Sequence, residues 1–80
     1  MLKVQFPDSN EAITIDKPDI LHIERNIYDI TITLDHSIST KNPPEPKFWI
    51  DGVASIDAKL KNISQSKGKY YVTFHVLLEK

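Results

Sequence analysis

Along most of the chain, apolar and polar residues alternate with a period of two, the spacing that sends successive side chains to opposite faces of a pleated strand. Leu2, Val4 and Phe6 alternate with Lys3 and Gln5, and Ile13 and Ile15 with Thr14 and Asp16. Pro7-Asp8-Ser9-Asn10 lies between them. Proline fixes φ there and the short polar side chains satisfy local backbone groups, so the segment predicts a first hairpin. Leu21 and Ile23 alternate with His22 and Glu24; then Tyr28, Ile30, Ile32 and Leu34 alternate with Asp29, Thr31, Thr33 and Asp35 in a long strand pattern. The last run is of the same kind, with Tyr70, Val72, Phe74, Val76 and Leu78 on a core face and Tyr71, Thr73, His75, Leu77 and Glu79 on the other.

Two segments break the rhythm. Residues 36 to 47, HSISTKNPPEPK, carry three prolines, which exclude a helix interior and a central strand, so a surface connection is expected. Its PxxP spacing is one that polyproline-binding domains accept, but proline stiffening of a connection is far commoner than such a ligand and is the expected role. Residues 53 to 66 fit two periods. Val53, Ile56, Leu60 and Ile63 fall on one face of a helix, whereas Ala54, Ile56, Ala58 and Leu60 alternate with Ser55, Asp57, Lys59 and Lys61 as in a strand. Asp51-Gly52 between two apolar runs favours the strand, because both central residues of a type I′ hairpin turn need positive φ. The polar stretch Ser64 to Lys69 then reads as a loop into the final strand.

The expected fold is all-β: one domain over residues 1–80, a small twisted antiparallel barrel or sandwich of six to seven strands. An α+β domain with one helix at about 53–66 is the alternative. A two-residue turn at Asp51-Gly52 would place Trp49 opposite Ala54, on the face of Ala54, Ile56 and Ala58. A large ring over small alanines suits close packing, so Trp49 is expected in the core and Phe48 outside.

Composition narrows the chemistry. The chain has no cysteine, hence no disulfide, thiolate metal site or thiol nucleophile, and a reducing cytoplasm is the expected setting. The start, MLKVQFPDSNEA, lacks the pattern of a signal peptide, and no apolar run is long enough for a membrane helix. Asn62-Ile63-Ser64 fits the glycosylation acceptor pattern, which has meaning only in a secreted chain. The two glycines, Gly52 and Gly68, form no phosphate-cradling loop. His22, His36 and His75 show no zinc-ligand spacing, and no nucleophile elbow occurs. No catalytic, cofactor or metal residue is therefore assigned, and the chain is expected not to be an enzyme.

What remains is binding. A non-enzymatic protein-binding module is expected: an inhibitor or immunity-type protein, a phage or mobile-element accessory protein, or a small assembly subunit. Open strand edges favour a protein partner or a homodimer. Its candidate interface residues are Phe48, Tyr71, Thr73, His75 and Leu77. Residues 1–40 carry a net charge of −4 and residues 41–80 of +3. That asymmetry supports an alternative, single-stranded nucleic-acid binding by a small β-barrel, with Lys59, Lys61, Lys67 and Lys69 on phosphates and Tyr71 and Phe48 stacking on bases. Lys67 to Phe74, KGKYYVTF, partly fits the RNA-stacking strand of an RNA-recognition motif, but Lys69 and Tyr70 depart from it. That motif also needs a helix and a strand downstream, where only six residues follow Phe74.

Overall fold

A computed structural model describes residues 1–79. All regular structure in it is β: β1 (Leu2–Gln5), β2 (Ile13–Ile15), β3 (Asp19–Glu24), β4 (Ile27–Leu34), β5 (Lys47–Ile50), β6 (Val53–Ser66) and β7 (Lys69–Leu78). The seven strands form one antiparallel sheet in the order β2-β1-β5-β6-β7-β4-β3. The sheet is strongly curled into a half-barrel, so the core is a single concave face and not the interior of a sandwich. Although β2 and β3 are the two edges, only Asp16, Lys17 and Pro18 separate them in sequence. That short link forces the two edges together at one corner, because three residues cannot span a flat seven-stranded sheet.

Turn chemistry sets two of the hairpins. Asp51 and Gly52 have φ of 49° and 86°, and Lys67 and Gly68 of 51° and 76°, so both turns carry the consecutive positive φ of type I′. The second turn corrects the expected loop at 64–69: β6 continues to Ser66, and only Lys67-Gly68 connects it to β7. The helix alternative falls on the same residues, since Val53–Ser66 is a 14-residue strand. Asp51 also anchors the sheet start. Its backbone N–H donates to the Met1 carbonyl at 3.0 Å, and its carboxylate accepts from the Met1 ammonium at 2.6 Å.

The concave face buries Leu2, Val4, Ile30, Ile32, Phe48, Ala58, Val72, Phe74, Val76 and Leu78. The faces expected for β4 and β7 are the ones found. That of β5 is reversed, and on β3 it is Ile20 that packs on the core, with the alternating Leu21 and Ile23 exposed. Phe48 is fully buried, tilted against Phe74 with ring centroids 5.6 Å apart, and Trp49 is half-buried on the convex face with the Lys47 ammonium 5.6 Å from its ring.

A bulge explains this inversion. Trp49 does pair with Ala54, as expected. Between Ser55, opposite Leu78, and Asp57, opposite Leu77, however, β6 carries the extra residue Ile56. An extra residue inverts the alternation. The inward set is therefore Ser55, Ala58 and Leu60, with Ile56 62% exposed. A second bulge at Lys61, between Leu60 and Asn62, makes Ile63 the next residue on the core. The step of three from Leu60 to Ile63 across the second bulge is the part of the helical spacing that the strand reproduces; Val53 and Ile56, which completed that spacing in the sequence, are exposed. Ser55 is nearly buried, and its hydroxyl accepts a 2.8 Å bond from the Phe48 N–H, where the β5–β6 ladder has ended.

Candidate functional site

The convex face of β6, β7, β4 and β3 is a lattice of rows fixed by strand register. In one row Thr33, Tyr71 and Ser64 are neighbours; in the next Asp19, Thr31, Thr73 and Asn62; in the third Leu21, Asp29, His75 and Lys59; in the fourth Glu24, Ile27, Leu77 and Asp57. Tyr71, Thr73, His75 and Leu77 therefore come together as one outward column on β7. Phe48 does not join them. Its burial in the core removes it both as an exposed interface residue and as a base-stacking platform.

The third row is ionic. The Asp29 carboxylate, only 7% exposed, accepts from His75 Nδ1 at 2.8 Å and from the ammonium of Lys61, which reaches it from the β6 bulge. Because a carboxylate only accepts, His75 carries its proton on Nδ1. The Lys61 and His75 hydrogen bonds hold the Asp29 carboxyl below the usual aspartate range, against burial, which pushes it up. Beside it the Thr31 and Thr73 hydroxyls bond each other at 2.8 Å.

The fourth row has an apolar middle, Ile27 and Leu77, between Glu24 and Asp57, and the bulge beside each carboxylate adds an isoleucine to it. The extra residue of the first β6 bulge is Ile56, and that of the β3–β4 bulge, between His22 and Glu24, is Ile23. Each is the chain neighbour of the carboxylate that pairs with Ile27 or Leu77, so isoleucine and leucine residues lie on four adjacent strands, a width of about 14 Å at about 4.8 Å per step, with Glu24 and Asp57 interleaved among them. Ile23 is 45% exposed and Leu21, next to it in the ionic row, 61%. Period-two alternation points to Leu77 but not to Ile23, Ile27, Ile56 or Leu21, because it does not locate the bulges that push residues out. The available signal was Ile20-Leu21: two adjacent large apolar residues in one strand, of which only one can face inward.

The lysines expected on phosphates are divided. Lys59 bonds Glu45 at 3.2 Å and lies 3.7 Å from Asp57, and these carboxylates, Glu45 foremost, raise its pKa. Lys61 is held by Asp29. Lys67 and Lys69, at the β6–β7 hairpin end, make no ion pair among the described residues.

A cavity of about 640 Å³ opens at one end of the half-barrel, where Phe6, Ile13, Leu34, Ile38 and Pro44 bring together the β1–β2 turn and the proline-rich loop. His36, on its rim, bonds Asp35 at 2.9 Å. No group of three or more His, Cys, Asp or Glu suited to a metal ion occurs among the described residues. Among the described residues, no helix is long and apolar enough to cross a membrane. No family model, curated protein or solved structure matches the chain.

Proposed function

We propose that the chain is a non-enzymatic protein-binding module, of the kind that serves as an inhibitor, an accessory protein or a small assembly subunit, and that its partner covers the convex sheet face. The observation that carries this reading is the apolar band formed by exposed Ile23 and Ile56 and partly exposed Ile27 and Leu77, with exposed Leu21 beside it. An apolar centre bordered by satisfied polar groups is the anatomy of a protein interface, and here the ionic row and the Thr31–Thr73 pair supply that border. Contiguous exposed apolar patches mark such surfaces, whereas single exposed residues do not. Covering Ile56, Leu21 and Ile23 would contribute on the order of 1 kcal/mol each, since about half of every side chain remains to be buried. The complementary surface has an apolar centre and a rim able to bond the threonine hydroxyls and the free Nε2 of His75. Nucleic-acid binding ranks second, because it retains only Lys67, Lys69 and Tyr71, the last 37% exposed.

Photo-cross-linking in the source cells tests the reading. A photoreactive residue at Ile56 should capture a discrete protein, one at Ile13 on the opposite edge strand should not, and Leu77→Glu should abolish the adduct while leaving the far-UV circular dichroism unchanged. Equal capture from both positions, or none from Ile56, overturns the assignment.

A further inference from the structure

We infer that the slot beside Trp49 takes a nucleoside phosphate, with the base stacked on the indole and the phosphate on Lys3. A cavity of about 490 Å³ opens there, lined by Met1, Lys3, Ala12, Trp49, Asp51 and Gly52, a size within the range of small-ligand sites. Strand register builds it. Lys3 stands directly opposite Trp49 in the β1–β5 ladder, so the two side chains share a face. On the other flank Trp49 pairs with Ala54, too short to cover an indole. Lys47 precedes Trp49 on the same face, and its ammonium lies 5.6 Å from the ring, yet Lys47 does not line the cavity. The cation and the cavity therefore meet the indole from different sides, and the side toward Met1 and the Asp51-Gly52 turn is the open one.

The charge of the lining selects an anion. Lys3 and Lys47 make no ion pair among the described residues. Asp51, the one carboxylate in the lining, is already bonded to the Met1 ammonium at 2.6 Å, and Glu11 and Asp16, the acidic residues flanking β2, do not line the cavity. An aromatic ring beside an unpaired ammonium suits a ligand that is itself a ring bearing phosphate, since bases of every kind stack on an aromatic side chain and lysine meets phosphate as a point charge. No residue of the Ile56–Leu77 band belongs to the lining, so the site stands or falls separately from the partner proposed above.

Trp49 is the sole tryptophan, so its fluorescence reads the site in the full chain. Excited at the red edge of the indole band, where the nucleotide does not absorb, it should be quenched by adenosine monophosphate at low salt, and adenosine should bind about tenfold more weakly for want of the charged contact. Lys3→Glu should weaken the nucleotide at least to the level of adenosine with the far-UV circular dichroism unchanged, and Leu77→Glu should leave binding intact. Equilibrium dialysis of the labelled nucleotide reads the tryptophan variants: Trp49→Ala should lose about 5- to 150-fold in affinity and Trp49→Phe should retain most of it. A short adenylate single strand that binds more tightly than the monomer identifies nucleic acid as the source of the ligand, and equal or weaker binding identifies the free nucleotide. No quenching at millimolar nucleotide, adenosine as tight as its phosphate, or binding indifferent to Lys3→Glu or to Trp49→Ala overturns the inference.

Discussion

Replacing Phe48 by alanine tests the bulge-inverted face directly. Phe48 is fully buried against Phe74, so truncation forfeits the transfer of a whole ring and leaves a cavity, a loss of about 3–5 kcal/mol. Eighty residues at about 0.05–0.15 kcal/mol each give a total stability of about 4–12 kcal/mol, so the variant should stand near the edge of unfolding. Trp49→Ala is the matched comparison. Its ring is half-buried on the convex face under Lys47, and removing it should cost about 1–2 kcal/mol from partial burial and the cation–π contact together. Urea titration followed by far-UV circular dichroism suits both variants, since Trp49 is the sole tryptophan and fluorescence would vanish in one of them. With a slope of about 1 kcal/mol/M, as befits a small domain, the Phe48→Ala midpoint should fall by about 3 M or be lost, and that of Trp49→Ala by about 1–2 M. A Trp49→Ala penalty equal to or larger than that of Phe48→Ala would refute the inversion.

Three further outcomes are expected. Ser55→Ala strands the buried Phe48 N–H without an acceptor and should cost about 1–3 kcal/mol, a penalty that Ser55→Thr should largely avoid, read from the same urea midpoints. Asp29→Asn should destabilise the protein by about 1 kcal/mol at neutral pH, since the partners of Asp29 are half-exposed and the ion pairs correspondingly modest. The Asp29 carboxyl is depressed in the folded state, so its contribution is fully present above 3.8, the ordinary aspartate value, and is lost as pH falls through the lower folded value. The gap between the two proteins should therefore close in thermal melts below about that pH, and a gap that widens as pH falls below that value would contradict the role given to Asp29. Gly52→Ala and Gly68→Ala should each cost about 1 kcal/mol from the positive φ alone, because an added Cβ meets nothing within 4 Å at either position. A much larger loss would mean that these turns are packed, not merely strained.

The alternation along β4 and β7 was legible because these strands pair without interruption, Ile27 to Leu34 against Leu77 to Tyr70. The type I′ turn at Asp51-Gly52 was legible from local chemistry. Bulges are not local. Whether β6 inserts Ile56 depends on its register with β7, and nothing in the residues from Val53 to Asp57 announces it. Everything that depends on face assignment beyond that point, including the exchange of Phe48 and Trp49 and the emergence of the apolar band, was therefore out of reach. The exposure of Leu21 on β3 has a related cause. His22 looks like a solvent residue, yet its ring stacks on Tyr28 at 4.5 Å and bonds the Arg25 carbonyl at 2.7 Å, leaving Leu21 to face out.

The corner at Asp16-Lys17-Pro18, where the two sheet edges meet, bears on how the chain finds its fold. Four strand pairings are local hairpins, but β1 must find β5 and β4 must find β7, matching Val4 with Phe48 and Asp29 with His75, the latter 46 residues apart. Closing such loops costs entropy before any contact repays it. The β6–β7 hairpin, long and tightly turned, is the natural nucleus, with β5 adding next through Asp51-Gly52. The chain between them must then lay down β4 on one flank of that nucleus and β1 on the other, with the sixteenth to eighteenth residues as the tether that keeps both searches within reach of each other. A few residues that make no ladder bond thus set the effective concentration at which the two halves of the sheet assemble, and lengthening that tether with glycine and serine should slow folding while leaving the unfolding rate nearly unchanged.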